Sequence, residues 1–185
     1  MIIKFFIPHR LEGENIILLL RRHHFVLLTR FASWTVVAIL PLLFYWLLND
    51  TLKKIFTGVT YEPILVLFTS LYYLFIWLFA FASYVSYYLD VWVITNQRII
   101  DMEQGGLFAR TVSEQRLDKI QDITSEAKGF FPTILNYGQV YAQTAGEKER
   151  FVFKQIPEPH SVAKKLGNVV NDYKKAHIFT DNLKK

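Results

Sequence analysis

Cysteine is absent from the chain, which excludes disulfide staples, thiolate metal sites and a cysteine nucleophile while leaving the compartment open. Charge is scarce in one region. Between Phe31 and Leu89 the only ionised side chains are Asp50, Lys53, Lys54 and Glu62, all in one short stretch. Hydrophobic residues make up 52% and aromatics 16% of the chain, yet from Asp90 onward it turns polar and rich in turn residues. A single folded core does not segregate its charge this way; a membrane anchor joined to a water-facing domain does. A strong excess of one charge sign is also missing. The formal net charge is +5; residues 1–30 carry five Lys/Arg against two Glu, and residues 90–185 carry fourteen against twelve acids. The polar part is too balanced for a nucleic-acid partner, which calls for a basic stripe.

Two apolar segments read as a membrane hairpin, at about 25–48 and 63–89, with a short outside loop at 49–62. The most apolar part of the first, Phe31 to Leu48, gives about 27 Å of helix, just enough for the hydrocarbon core. Arg30 bounds it, placed to snorkel to the headgroups with Arg21 and Arg22 ahead of it. Pro41 sits mid-span, where a neighbouring helix can tolerate it. Tyr84, Tyr87 and Tyr88 close the second span and read as an interfacial aromatic belt. Ala80, Ala82, Ser83 and Ser86 form a small-residue strip suited to packing the two spans on each other. A cleaved signal peptide is the poorer reading of the first segment, because no small-x-small site follows it and a second span does. Lys4, Arg10, Arg21, Arg22 and Arg30 precede the first span, against Lys53 and Lys54 in the loop. The positive-inside rule therefore puts both termini in the cytoplasm.

From Asp90 the pattern becomes that of strands. Val91–Thr95, a turn at Asn96-Gln97 and Arg98–Glu103 read as a hairpin. Segments near 110–116 and 118–126 follow, then a short helical or irregular stretch opened by Gly129-Phe130-Phe131-Pro132, then strands at Gln139–Thr144 and Arg150–Ile156. Pro159 opens a helix with an apolar stripe of Val162, Leu166, Val169, Val170 and Tyr173. Lys164, Lys165, Lys174 and Lys175 lie largely off that stripe. The expected water-facing domain is 90–178, with a polar tail at 179–185. Residues 1–24 form an N-terminal segment in which 14–22 read equally as an interfacial helix or as a returning strand.

The run Trp92-Val93-Ile94-Thr95-Asn96-Gln97-Arg98-Ile99-Ile100 resembles the opening hairpin of the bacterial pleckstrin-homology-like domains carried by small membrane proteins. The resemblance continues through Glu114-Gln115-Arg116-Leu117, Lys119-Ile120-Gln121-Asp122-Ile123, Leu135-Asn136-Tyr137-Gly138, and Phe151-Val152-Phe153 with Ile156-Pro157-Glu158-Pro159. It covers about residues 88–175, and a two-span hairpin with Arg21-Arg22-His23-His24 is also typical. It implies an antiparallel β-barrel or sandwich capped by a C-terminal helix, anchored in a bacterial inner membrane. That fold has seven strands; about six are legible after the second span. The seventh is either a bend within Leu107–Leu117 or the run Ile16–Leu20.

No catalytic set and no cofactor is expected. His23-His24 is the one histidine pair, and neighbours on a helix point about 100° apart, a poor geometry for one metal ion. Asp118, Asp122 and Glu126 read as a solvated face, and Gly105-Gly106 as a turn without the lysine of a phosphate loop. Binding remains. The leading expectation is a non-enzymatic module whose groove or strand edge takes a protein partner or another copy of itself. A second reading places an anionic lipid headgroup on Arg98, Lys119, Lys148 and Arg150. A third makes the chain an accessory subunit of a membrane transporter or enzyme.

Overall fold

A computed structural model describes residues 11–55, 62–144 and 151–183. A strand, β1 (Ile16–Arg21), comes first. Two long helices follow, α1 (His24–Ile55) and α2 (Glu62–Leu89). Four strands come next, β2 (Val91–Thr95), β3 (Arg98–Gln104), β4 (Arg110–Arg116) and β5 (Ile120–Glu126), with a single 3₁₀ turn at Leu117–Lys119 before β5. Then come a short helix α3 (Phe130–Ile134), strands β6 (Tyr137–Thr144) and β7 (Phe151–Pro157), and helix α4 (Pro159–Leu183).

The strands form two antiparallel sheets, ordered β1-β2-β3-β4 and β5-β6-β7. The missing strand is therefore Ile16–Arg21, which pairs with β2 through Leu20↔Trp92 and Leu19↔Val93. This corrects the expected domain boundary at residue 90: the sheet begins ahead of the hairpin. The loop at residues 11–15 wraps the β2–β3 turn and sets that register. Asn15 N–H donates to Asn96 Oδ1 at 2.8 Å, and Asn96 Nδ2 donates to the Gly13 carbonyl at 2.9 Å.

Alternation puts Trp92, Ile94 and Ile99 of the first sheet against Val140, Ala142, Phe153 and Ile156 of the second. Helix α4 closes this core with Val162, Leu166 and Val170 buried, and Val169 and Tyr173 partly so, matching the expected stripe. Lys174 departs from its expected place in water and donates to the Ile120 carbonyl at 2.6 Å. The helix runs on to Leu183, through residues read from sequence as a tail. Gly138 marks the closest approach inside the second sheet: a Cβ there would stand 2.3 Å from the Glu126 carbonyl oxygen.

Helices α1 and α2 are both long and apolar enough to cross a membrane, and their most apolar stretches bury no residue within the protein. Helix α1 continues to Ile55, so half of the expected outside loop is helical; residues 56–61 lie outside the described segments. Pro41 has no N–H for the Val37 carbonyl one turn back. Tyr72 of α2 donates its hydroxyl to that carbonyl at 2.8 Å, and Tyr73 donates to the next, Ala38, at 3.1 Å. The partner helix repairs what proline removes.

Candidate functional site

Two features of the fold stand out: the junction where the helices enter the sheets, and the open edge of the first sheet. At the junction the chain crosses twice with almost no linker, at Arg22-His23 and at Asp90. Arg22 pairs with Asp90 at 2.8 Å, its guanidinium lying 5.9 Å from the centre of the Trp92 ring. Asp90 also accepts the Gln104 N–H at 2.7 Å. Burial raises the Asp90 carboxyl above its ordinary range, against the opposing pull of that N–H and of Arg22. Nearby on β3, burial pushes the Asp101 carboxyl up to about 6.

The second sheet is fastened to the same place by a distorted strand. Gln155 in β7 has φ +56°, beside a register shift in the β6–β7 ladder. Its carbonyl is thereby turned to accept the His23 N–H at 2.7 Å, and its side-chain oxygen accepts from Arg22 at 3.3 Å. The His23 ring stacks on Tyr137 at 5.1 Å, and Phe25 meets Phe131 at 5.3 Å. Burial, and the charge of His24 after it, lower the His23 pKa.

The cations and tyrosines expected at a membrane surface divide in two. Arg22 and Tyr87 turn inward: Tyr87 is buried and donates its hydroxyl to the Arg22 carbonyl at 3.0 Å. Arg21, Tyr84 and Tyr88 are exposed, with the Arg21 guanidinium 4.8 Å from the Tyr88 ring centre. Arg30 reaches across the hairpin to the Ser83 carbonyl at 3.2 Å.

Two of the four residues of the expected ligand cluster, Arg98 and Lys119, fall within the described residues. Arg98 is buried and holds Glu14 at 2.9 Å and Glu114 at 2.5 Å. Burial works to raise the Glu14 pKa, but hydrogen bonds from Arg98, the Leu11 N–H and Thr95 outweigh it and hold the carboxyl below its ordinary value. Lys119 is exposed in the 3₁₀ turn, and Lys148 and Arg150 lie outside the described residues. Both Arg98 and Lys119 sit by the β2–β3 turn, where the Leu117 N–H meets the Gln97 carbonyl. That is the end of the sheet opposite the helices, about 17 Å along the five residues of β2.

Sequence reading missed Glu14, whose partner lies 84 residues away. It also missed a contact between Ser125 of β5 and His160 of α4 at 2.7 Å. That pair is exposed, and among the described residues no carboxylate completes it, so it fastens α4 to the sheet. No group of three or more His, Asp or Glu able to hold a metal ion occurs among the described residues.

The other feature is β4. It pairs with β3 from Gln104↔Arg110 to Arg98↔Arg116 and has no strand on its far side among the described residues. Six of its seven residues are exposed.

A family model described as the bacterial PH domain matches residues 16–170, β1 and the helical hairpin included. Among solved structures, the chain is similar to a DUF1696 family protein with a pleckstrin-homology domain from Shewanella loihica PV-4. Identity is 19%, the match covers 44% of this chain and 70% of that one, and the TM-score is 0.36. No curated protein matches.

Proposed function

The chain belongs to the bacterial PH domain family, and on that premise we propose that it is a membrane-anchored, non-catalytic interaction module. Helices α1 and α2 anchor it in the inner membrane with both termini in the cytoplasm, and the β4 edge takes up a protein partner or a second copy of the chain. A PH-like domain is an interaction fold. The observation that carries the rest is the edge of β4, which has no neighbouring strand among the described residues: an exposed strand edge is a ready site for strand addition.

The anchor has support in length as well as composition. Arg30 and Asp50 bound an uncharged stretch of α1, and twenty residues of helix span about 30 Å, the thickness of the hydrocarbon core. Arg30 then marks one boundary of that core. The first turn of α1 and the whole junction stand in the headgroup layer.

The test places a photo-crosslinking amino acid at Thr111 and Ser113, both exposed on β4, in the full chain in native membranes. Irradiation is expected to yield one adduct of defined mass at these positions and none at Asp122 on the second sheet. Equal labelling on both sheets, or none on β4, would overturn the edge as the binding surface. A C-terminal reporter active only outside the cytoplasm would overturn the topology.

A further inference from the structure

Large apolar side chains displayed in groups on a water-facing domain mark a contact surface. Here two such groups lie at one end. Leu107 and Phe108 occupy the β3–β4 turn, with Phe108 99% exposed. Phe130, Phe131, Ile134 and Leu135 lie on and just after α3, with Phe130 73% exposed. None of them belongs to the buried core, which closes without them.

Their position is what gives them a common partner. The β3–β4 turn hangs from Gln104, whose N–H is bonded to Asp90, the residue that follows α2. Helix α3 lies against the first turn of α1 through the Phe25–Phe131 contact. Both groups therefore stand at the end of the domain from which the hairpin emerges, on two different sheets. Phe25 is five residues before Arg30, about 7 Å along the helix axis and so within the headgroup layer if Arg30 marks the core boundary. Phe and Leu side chains on a surface segment are favoured at the boundary between headgroups and acyl chains. Cations flank them: Arg21 at the end of β1 and Lys128 just before α3 are both exposed, as suits an anionic leaflet.

We propose that the Leu107-Phe108 turn and α3 are a bilayer footing: they insert their apolar side chains at the boundary between headgroups and acyl chains, beside the hairpin. The proposal rests on the membrane reading above and deepens it. Helices α1 and α2 fix the domain at one point, and footings from both sheets fix its tilt. The β4 strand starts at Arg110, directly after the footing turn, so its edge is held at a set angle to the membrane.

The absence of cysteine allows a direct test. Single variants Phe108→Cys and Phe130→Cys of the full chain, labelled with the polarity-sensitive fluorophore NBD, are placed one copy per nanodisc of phosphatidylethanolamine and phosphatidylglycerol. Leu43→Cys in α1 serves as the lipid control and Lys119→Cys, exposed at the far end of the domain, as the water control. Labels at 108 and 130 are expected to emit to the blue of the Lys119 label. They are also expected to be quenched several-fold more strongly by lipids carrying a nitroxide near the headgroup. Water-like labels at 108 and 130 beside a lipid-like Leu43 label would overturn the footing and leave the anchor standing. A water-like Leu43 label would overturn both. Blue-shifted labels at 108 and 130 that nitroxide lipids do not quench would mean that protein covers these side chains, which also overturns the footing.

Discussion

At the scale of single residues, the sorting of the cations carries most weight. Arg98 stood out in the sequence because the opening hairpin offers no other basic residue. The sequence contains no local sign that Glu14, far upstream, is its partner. A buried ion pair is weak evidence of net stability, but removing one member strands the other charge and costs about 3–5 kcal/mol. Arg98→Ala should therefore lower the thermal midpoint of the detergent-solubilised protein sharply. The same change at Lys119, exposed in its turn, should alter the stability by no more than about 0.5 kcal/mol. Equal, small effects would return Arg98 to the rim as a ligand residue. The pair also sets an acid limit. Glu14 has its carboxyl held below the ordinary glutamate value in the folded state. Its contribution is thus complete above the unfolded value and is lost as pH falls through the folded one. Glu14→Gln should flatten the acid side of the stability profile and leave the slope above neutrality unchanged.

At the scale of elements, β2 to β7 and α4 were legible because each carries its own signal. Val91–Thr95 and its partner alternate around Asn96-Gln97, and Pro159 opens a helix with one apolar face. Strand boundaries agree within two residues, and α4 begins at Pro159 as expected but runs five residues past the expected end at 178. Residues 16–21 carry none: Ile-Ile-Leu-Leu-Leu-Arg is equally apolar at helical and at strand spacing, so pairing with β2, some 75 residues on, decides its state. The bulge at Gln155 was hidden for a similar reason, since its positive φ serves a contact with His23 rather than any local preference. Within the hairpin, Pro41 was legible as a break but its repair was not. The Tyr72 hydroxyl meets the carbonyl that Pro41 leaves free; in the bilayer proposed above, no water would replace it. Tyr72→Phe should destabilise the helix pair by about 1–2 kcal/mol, the range for an interhelical hydrogen bond in a membrane. Steric-trap unfolding in bicelles would measure it. Restoring the N–H with Pro41→Ala should reduce the cost of Tyr72→Phe by most of its size; an unchanged cost would mean that the hydroxyl does not serve that carbonyl.

At the scale of the whole molecule, the hairpin is an insertion between two strands of one sheet. Chain order runs β1, α1, α2, β2, and β1 pairs with β2 across both helices. The hairpin therefore cannot be cut away at residue 90 without taking an edge strand with it. A fragment of residues 90–183 loses the burial of Leu20, about 2–3 kcal/mol. It also leaves Arg98 without Glu14, for about 3–5 kcal/mol more. Together these approach the whole stability of a small domain, about 5–15 kcal/mol, and the bared edge of β2 adds an aggregation surface. This fragment is expected to be insoluble or molten. A second chain joins residues 11–23 to residues 90–183 through a flexible linker in place of the spans. It keeps β1, the Glu14–Arg98 pair and the Arg22–Asp90 pair, and it is expected to fold, with dispersed amide resonances and a cooperative melt. The comparison separates two reasons for failure. If both chains aggregate, the domain needs the hairpin itself, through Tyr87 and Phe25 at the junction. If both fold, β1 is dispensable and the sheet closes without it. Only the expected contrast makes the strand ahead of the two apolar helices an obligatory part of the domain that follows them.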